Sequence, residues 1–223
     1  MNISQIIDEL KKHSNPSQIA GMQRFGINPE KTFAVKVPIL RDIAKKIKRD
    51  HQLALQLWDC GYRETQIIAS MIADPKQVSD ELMDRFASFF SYWEICDQFC
   101  MNLFEKMPNA YEKALEYSYR QPTFEKRTGF VLMARLAVSD KKAVDDKFYP
   151  FFDRIMQESC DGRNDVKKGV NWALRQIGKR NVRLREKALI TIEAILEQKD
   201  SVKWVATDAK RELMDVKIIQ RIK

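Results

Sequence analysis

VPILRDIAKKIKRDHQLALQLWDCGYRETQIIASMIADP, residues 37–75, reads as three short helices divided by chain punctuation. Pro38 suits the first turn of a helix, because its fixed φ is helical and its missing N–H has no partner there anyway. HQLALQLWDC runs to Gly61, and YRETQIIASMIA runs on to Asp74-Pro75. These breaks fall at Gly or ahead of Pro, where helices end most easily. The same spacing continues on both sides. Upstream, MNISQIIDELKKH is amphipathic, and Asn15-Pro16 opens a segment that stops at Gly26. Downstream come PKQVSDELMDRFASFF, SYWEICDQFCMNLFEKM, PNAYEKALEYSYR, TFEKRTGFVLMARLA, a segment around KFYPFFDRIMQES, DVKKGVNWALRQIG, VRLREKALITIEAILEQ and a last pair near 201–222. No stretch alternates with the period of two that marks a strand.

About a dozen short helices with brief connections predict antiparallel pairs of roughly 30–45 residues each, the period of HEAT or armadillo repeats. The expected fold is all-α: stacked antiparallel helix pairs forming a curved HEAT/armadillo-like solenoid, with residues 1–223 as a single domain. A compact irregular bundle is the alternative. Composition agrees with helix: of 223 residues only 7 are Gly and 7 Pro, while 44% are hydrophobic and 31% charged. That hydrophobic share excludes disorder as the main state. No apolar run approaches the roughly 18 residues of a membrane span. The N-terminal stretch lacks the basic-then-apolar order of a signal peptide, so the expected location is cytoplasmic and off the membrane.

Cys60, Cys96, Cys100 and Cys160 include no C-x-x-C pair, and His13 and His51 are far from them in sequence. Cys96 and Cys100 fall one helical turn apart on an apolar face, where reduced core thiols are usual. The spacing gives no metal site. G-x-G-x-x-G, the P-loop, H-E-x-x-H and G-x-S-x-G are all absent, so nucleotide-dependent, zinc-hydrolytic and Ser-hydrolase chemistry lose their usual support.

The net charge of +8 is concentrated. Residues 1–162 hold 23 basic and 23 acidic side chains; residues 163–223 hold 16 and 8. RNDVKKGVNWALRQIGKRNVRLREK, residues 163–187, alone carries 9 basic and 2 acidic residues. Lys36, Arg41, Lys45, Lys46, Lys48 and Arg49 form a second cluster. Scattered cations would only solubilise, whereas concentrated ones gain by releasing counterions from a polyanion.

Three helices break the plain amphipathic pattern. In DVKKGVNWALRQIGK, at 100° per residue, Val166, Val170, Ala173, Leu174 and Ile177 make an apolar stripe. Trp172 falls on the other side, between Lys168, Arg175 and Lys179. An indole there either packs under a neighbouring helix or lies against sugar or base while the cations take phosphates. In SYWEICDQFCMNLFEKM, Tyr92, Ile95, Cys96, Phe99 and Leu103 form the core face. Trp93 and Asp97 sit together at its edge on adjacent turns. An aromatic face beside a carboxylate suits a developing cation. In TFEKRTGFVLMARLA, Arg127 follows the line of Val131, Ala134 and Val138. Buried there, it should meet a carboxylate or a phosphate, unless its stem snorkels past the stripe.

With LWDCGYRETQ at 57–66, YWEICD at 92–97, the KRTGF context of Arg127 and GVNWALRQ at 169–176, in that order, the sequence resembles the AlkD-type DNA alkylation repair family, the HEAT-like repeat DNA glycosylases. The likeness covers nearly the whole chain. By position, Trp93, Asp97 and Trp172 match the family's Trp–Asp–Trp active-site set, and Arg127 matches its cleft arginine. Where the family has a polar amide ahead of the third helix's proline, this chain has Lys36, a residue able to take a phosphate.

The resemblance implies a monofunctional glycosylase that clamps duplex DNA and releases cationic N3- or N7-alkylated purines without metal or cofactor. It also implies a second reading, since the family includes relatives that bind DNA, branched forms among them, without glycosylase activity. A helical scaffold for an acidic protein is a third. The expected catalytic residues are Asp97, Trp93 and Trp172. The expected DNA-binding residues are Arg127, Lys36, Lys168, Arg175, Lys179 and Arg180, in a monomer.

Overall fold

The computed structural model describes residues 1–200 and 202–222, so Ser201, at the head of the last expected helix pair, lies outside the described residues. Among the described residues there are fourteen α-helices and no strand; one isolated parallel bridge joins Lys31 and Tyr62. No helix among them is long and apolar enough to cross a membrane. The helices group into two compact units, Met1–Pro108 and Asn109–Lys223.

The first unit holds α1 (Ile3–Lys12), α2 (Ile19–Arg24), α3 (Val37–Ile47), α4 (His51–Asp59), α5 (Arg63–Ile72), α6 (Asp80–Ser88) and α7 (Trp93–Asn102). Local chemistry sets the boundaries. Asn2 and Gln5 form a reciprocal capping box on α1, and the side chains of Asp50 and Ser79 accept from the orphan N–H groups of α4 and α6. Gly61 ends α4, and the short turn after it folds α5 back as an antiparallel partner. α5 also packs on α3 and α7. An aromatic cluster fills this core: the Trp58 ring meets Phe86 edge-on at 4.7 Å and Phe99 at 5.0 Å, and Phe90 and Phe104 close around Phe99. Cys96 and Cys100 are buried free thiols in the same core.

The second unit holds α8 (Ala110–Ser118), α9 (Thr123–Ser139), α10 (Tyr149–Glu158), α11 (Asn164–Gly178), α12 (Val182–Glu197), α13 (Lys203–Leu213) and α14 (Val216–Ile219). α9 is its centre. Every residue from Lys126 to Ala134 is buried, because α8 covers one side and α11 the other. Gly129 permits the approach of α8. A Cβ there would stand 2.4 Å from the Ser118 nitrogen, inside any allowed contact. The apolar stripe of α11 is fully buried at Val166, Val170, Ala173, Leu174 and Ile177, as its periodicity predicts. α12 and α13 pack on it and on each other.

Candidate nucleic-acid interface

In the first unit the site begins with a turn. α2 ends in a Schellman arrangement: the Gly26 N–H donates to Gln23 O at 2.9 Å and the Ile27 N–H to Met22 O at 3.0 Å, with Gly26 at φ +75°. This fixes the peptide of Phe25, whose carbonyl accepts the indole N–H of Trp93 at 2.8 Å. Trp93 opens α7 and is half-buried, so part of its ring remains accessible. Asp97 lies one turn further along α7 and is only 9% exposed.

Glu94, next to Trp93 on α7, belongs to a buried ion network. Arg63, the first residue of α5, grips Glu94 with two bonds of 2.6 and 2.7 Å. It also donates to Val35 O and to Glu64, each at 2.9 Å. Burial opposes the charge on Arg63, but Glu94 and Glu64 outweigh that and hold the guanidinium above its ordinary pKa. Glu64 in turn accepts the Thr32 hydroxyl and the N–H groups of Phe33 and Val35. The network therefore ties the segment before α3, the start of α5 and the start of α7 into one rigid piece. Burial also pushes the Tyr92 phenol up, and its O–H has no hydrogen-bond partner among the described residues. Lys36, at the head of α3, is exposed and carries no ion pair among the described residues.

In the second unit the residues of GVNWALRQ divide between the buried stripe of α11 and positions that face its neighbours or solvent. Gly169 faces α9, where a Cβ would come to 3.4 Å from Phe130 Cβ. Asn171 is buried and donates to Val205 O in α13 at 3.0 Å. Trp172 points away from the stripe and is half-buried. Gln176 lies one turn on, and with its amide turned so that the oxygen faces the ring it accepts the Trp172 indole N–H at 2.9 Å. Both tryptophans are half-buried, and the indole N–H of Trp93 is bound to the Phe25 carbonyl.

The cations divide sharply. Lys168 is exposed and carries no ion pair among the described residues. Arg175 and Lys179 both bind Glu212 of α13, each at 2.5 Å. Arg180 donates to Ala137 O and Ala143 O and lies over the Phe148 ring. These three do structural work inside the second unit, which their sequence pattern does not reveal. Arg127 is buried and donates to Asp165 O at 2.6 Å, so a main-chain carbonyl stands among its partners where a carboxylate or phosphate is expected. Its supposed stripe is also incomplete, since Val138 is exposed.

Four groups that position the candidate residues escape the sequence reading: Arg63 and Glu94, which anchor α7; the Phe25 carbonyl, which holds Trp93; and Gln176, which lies one turn from Trp172. The first pair lies inside the motifs GYRET and YWEICD, where buried opposite charges 31 residues apart leave no local signature. Gln176 stands four residues after Trp172, a spacing that helical geometry makes legible.

The model of the DNA alkylation repair enzyme family matches residues 6–213. A solved protein, described as one of a new family related to the HEAT-like repeat DNA glycosylases with affinity for branched DNA structures, has the same fold. It aligns with a TM-score of 0.78 at 19% identity, covering 96% of this chain and 94% of that one. A comparison with curated protein sequences finds no match.

Proposed function

Since the chain belongs to the DNA alkylation repair enzyme family, we propose that it binds duplex DNA and hydrolyses the N-glycosidic bond of cationic N3- or N7-alkylated purines. The reading is carried by a buried carboxylate, Asp97, one helical turn from a tryptophan whose indole N–H is already committed. A purine alkylated at N3 or N7 is positively charged. Breaking the C1′–N bond gives the bonding pair to the ring and neutralises it, so no general acid is needed. The sugar is left with oxocarbenium character and takes a water at C1′, whose proton passes to the carboxylate or to solvent.

Asp97 is assigned the negative charge opposite that cation and the orientation of the water. Trp93 in the first unit and Trp172 in the second are each assigned a π face for the DNA. Lys36 and Lys168 are assigned phosphates, because exposed cations without ion pairs can release counterions on binding. Arg127, Arg175, Lys179 and Arg180 keep a DNA role only through surface that their internal partners leave open.

A non-catalytic, structure-selective DNA-binding role is the alternative, and the branched-DNA affinity ascribed to the structurally similar protein favours it. One assay separates them: single-turnover release of N7-methylguanine from duplex DNA, run beside binding isotherms for the duplex and a four-way junction. Release by the parent protein establishes the glycosylase. Tight junction binding with no release from N3- or N7-methylated DNA establishes the binding module.

A further inference from the structure

The most exposed large hydrophobic side chain of the first unit is Phe25, at 73%. It sits at the C-cap of α2, a position with no need for an aromatic ring, and the Schellman bonds around it leave its backbone no freedom. Its carbonyl is the group that holds the Trp93 indole, and a Cβ added at the neighbouring Gly26 would stand 3.9 Å from the Trp93 ring. The exposed ring and the tryptophan beside Asp97 are therefore parts of one rigid assembly. Arg24, on its N-terminal side, is exposed and has no ion pair among the described residues; the same holds for Lys36, Arg41 and Lys48 further along. An apolar ring next to the unneutralised Arg24, in a unit that carries these further free cations, suits a ligand that offers flat aromatic surface on an anionic backbone.

We infer that Phe25 is a stacking wedge for an unstacked nucleobase of distorted DNA, and that it selects bulged or branched sites over intact duplex. The inference rests on the proposed DNA-binding role and adds its specificity: the cations hold the backbone, and the ring is satisfied only where a base has left the helical stack. Because the peptide that presents the ring also fixes Trp93, a base seated on Phe25 settles the DNA at a defined place relative to Asp97.

The test compares the parent protein, Phe25→Ala and Phe25→Trp on two labelled DNAs at one salt concentration: an intact duplex, and the same duplex with an extrahelical 2-aminopurine. Parent and Phe25→Trp should prefer the bulged DNA and quench its fluorescence. Phe25→Ala should lose about 5- to 150-fold in affinity for the bulge, the range of one base–aromatic stack, while its affinity for the intact duplex changes less than about 2-fold. Melting temperatures should coincide, since an exposed ring contributes little to stability. Equal losses on both DNAs, or none on either, with a parent that binds DNA, overturn the wedge alone. A parent that binds neither DNA overturns the DNA-binding role and the wedge with it.

Discussion

Asp97→Asn isolates charge from shape. The amide keeps the volume and most hydrogen bonding of the carboxylate but removes the negative charge assigned to the forming sugar cation. Electrostatic stabilisers of this kind are worth about 10²–10³ in rate, so base release should fall by that factor in single-turnover measurements. DNA affinity should hold or rise slightly, because a negative group has left a phosphate-binding surface. Equal release by both proteins would remove Asp97 from the chemistry. Trp172→Ala should behave differently, lowering affinity and release together, since a ring that contacts ground state and transition state alike contributes uniform binding. Gln176→Leu supplies a graded version. It leaves the indole in place but removes the amide that, with its oxygen turned to the ring, accepts the indole N–H, and its effect on affinity should be smaller than that of losing the ring.

At the scale of helices, α7 is positioned by a buried pair. Stranding a buried charge costs about 3–5 kcal/mol. Losing Glu94 would cost less than that, because Arg63 keeps Glu64 and Val35 O but loses its two-bond partner. Glu94→Ala should still lower the urea midpoint markedly, and a change under about 1 kcal/mol would mean that α7 is held by its apolar face alone. α11 and α13 are joined more openly, and there pH is the probe. Burial raises the Glu212 pKa, but the bonds and charges of Lys179 and Arg175 outweigh it and leave the carboxyl below its ordinary value of 4.5. A carboxyl depressed in the folded state adds stability that is complete above its unfolded pKa and is lost as pH falls through the folded one. The parent should thus exceed Glu212→Gln in stability near neutral pH, and the two should converge on acidification. The contrast between these helices marks what a sequence can disclose. Boundaries of α3, α4, α5 and α11 are legible because Pro38, Gly61 and the apolar stripe of Val166 to Ile177 are local signals. Trp93 and Asp97 are legible for the same reason, one turn apart on one helix. The partners of Arg175 and Lys179 are not, because Glu212 lies 37 and 33 residues away and only packing of α13 on α11 brings it near. Nor does a central helix such as α9 betray its burial through periodicity, since it is enclosed on nearly every side.

Over the whole molecule, formal charge overstates the electrostatics open to a polyanion. The net +8 counts every lysine and arginine alike, yet Arg163, Arg175 and Lys179 face carboxylates and Arg180 and Arg185 face carbonyls. Only a cation that neutralises a phosphate releases a counterion. Each such contact contributes about −0.9 to the slope of log affinity against log salt on B-form DNA. Affinity for duplex DNA should accordingly fall with salt, but along a slope shallower than the 9 basic residues of 163–187 imply. Two single substitutions resolve which cations count. Lys168→Ala removes an exposed ammonium with no ion pair among the described residues; it should flatten the slope by about one unit and leave the melting temperature unchanged. Lys179→Ala removes a cation committed to Glu212; it should leave the slope almost unaltered while lowering the melting temperature, because α13 loses a tie to α11. Salt titrations of both variants, with thermal melts alongside, make the comparison. A flattened slope for Lys179→Ala would mean that DNA draws this lysine away from Glu212, so that binding and the packing of α13 compete for one charge.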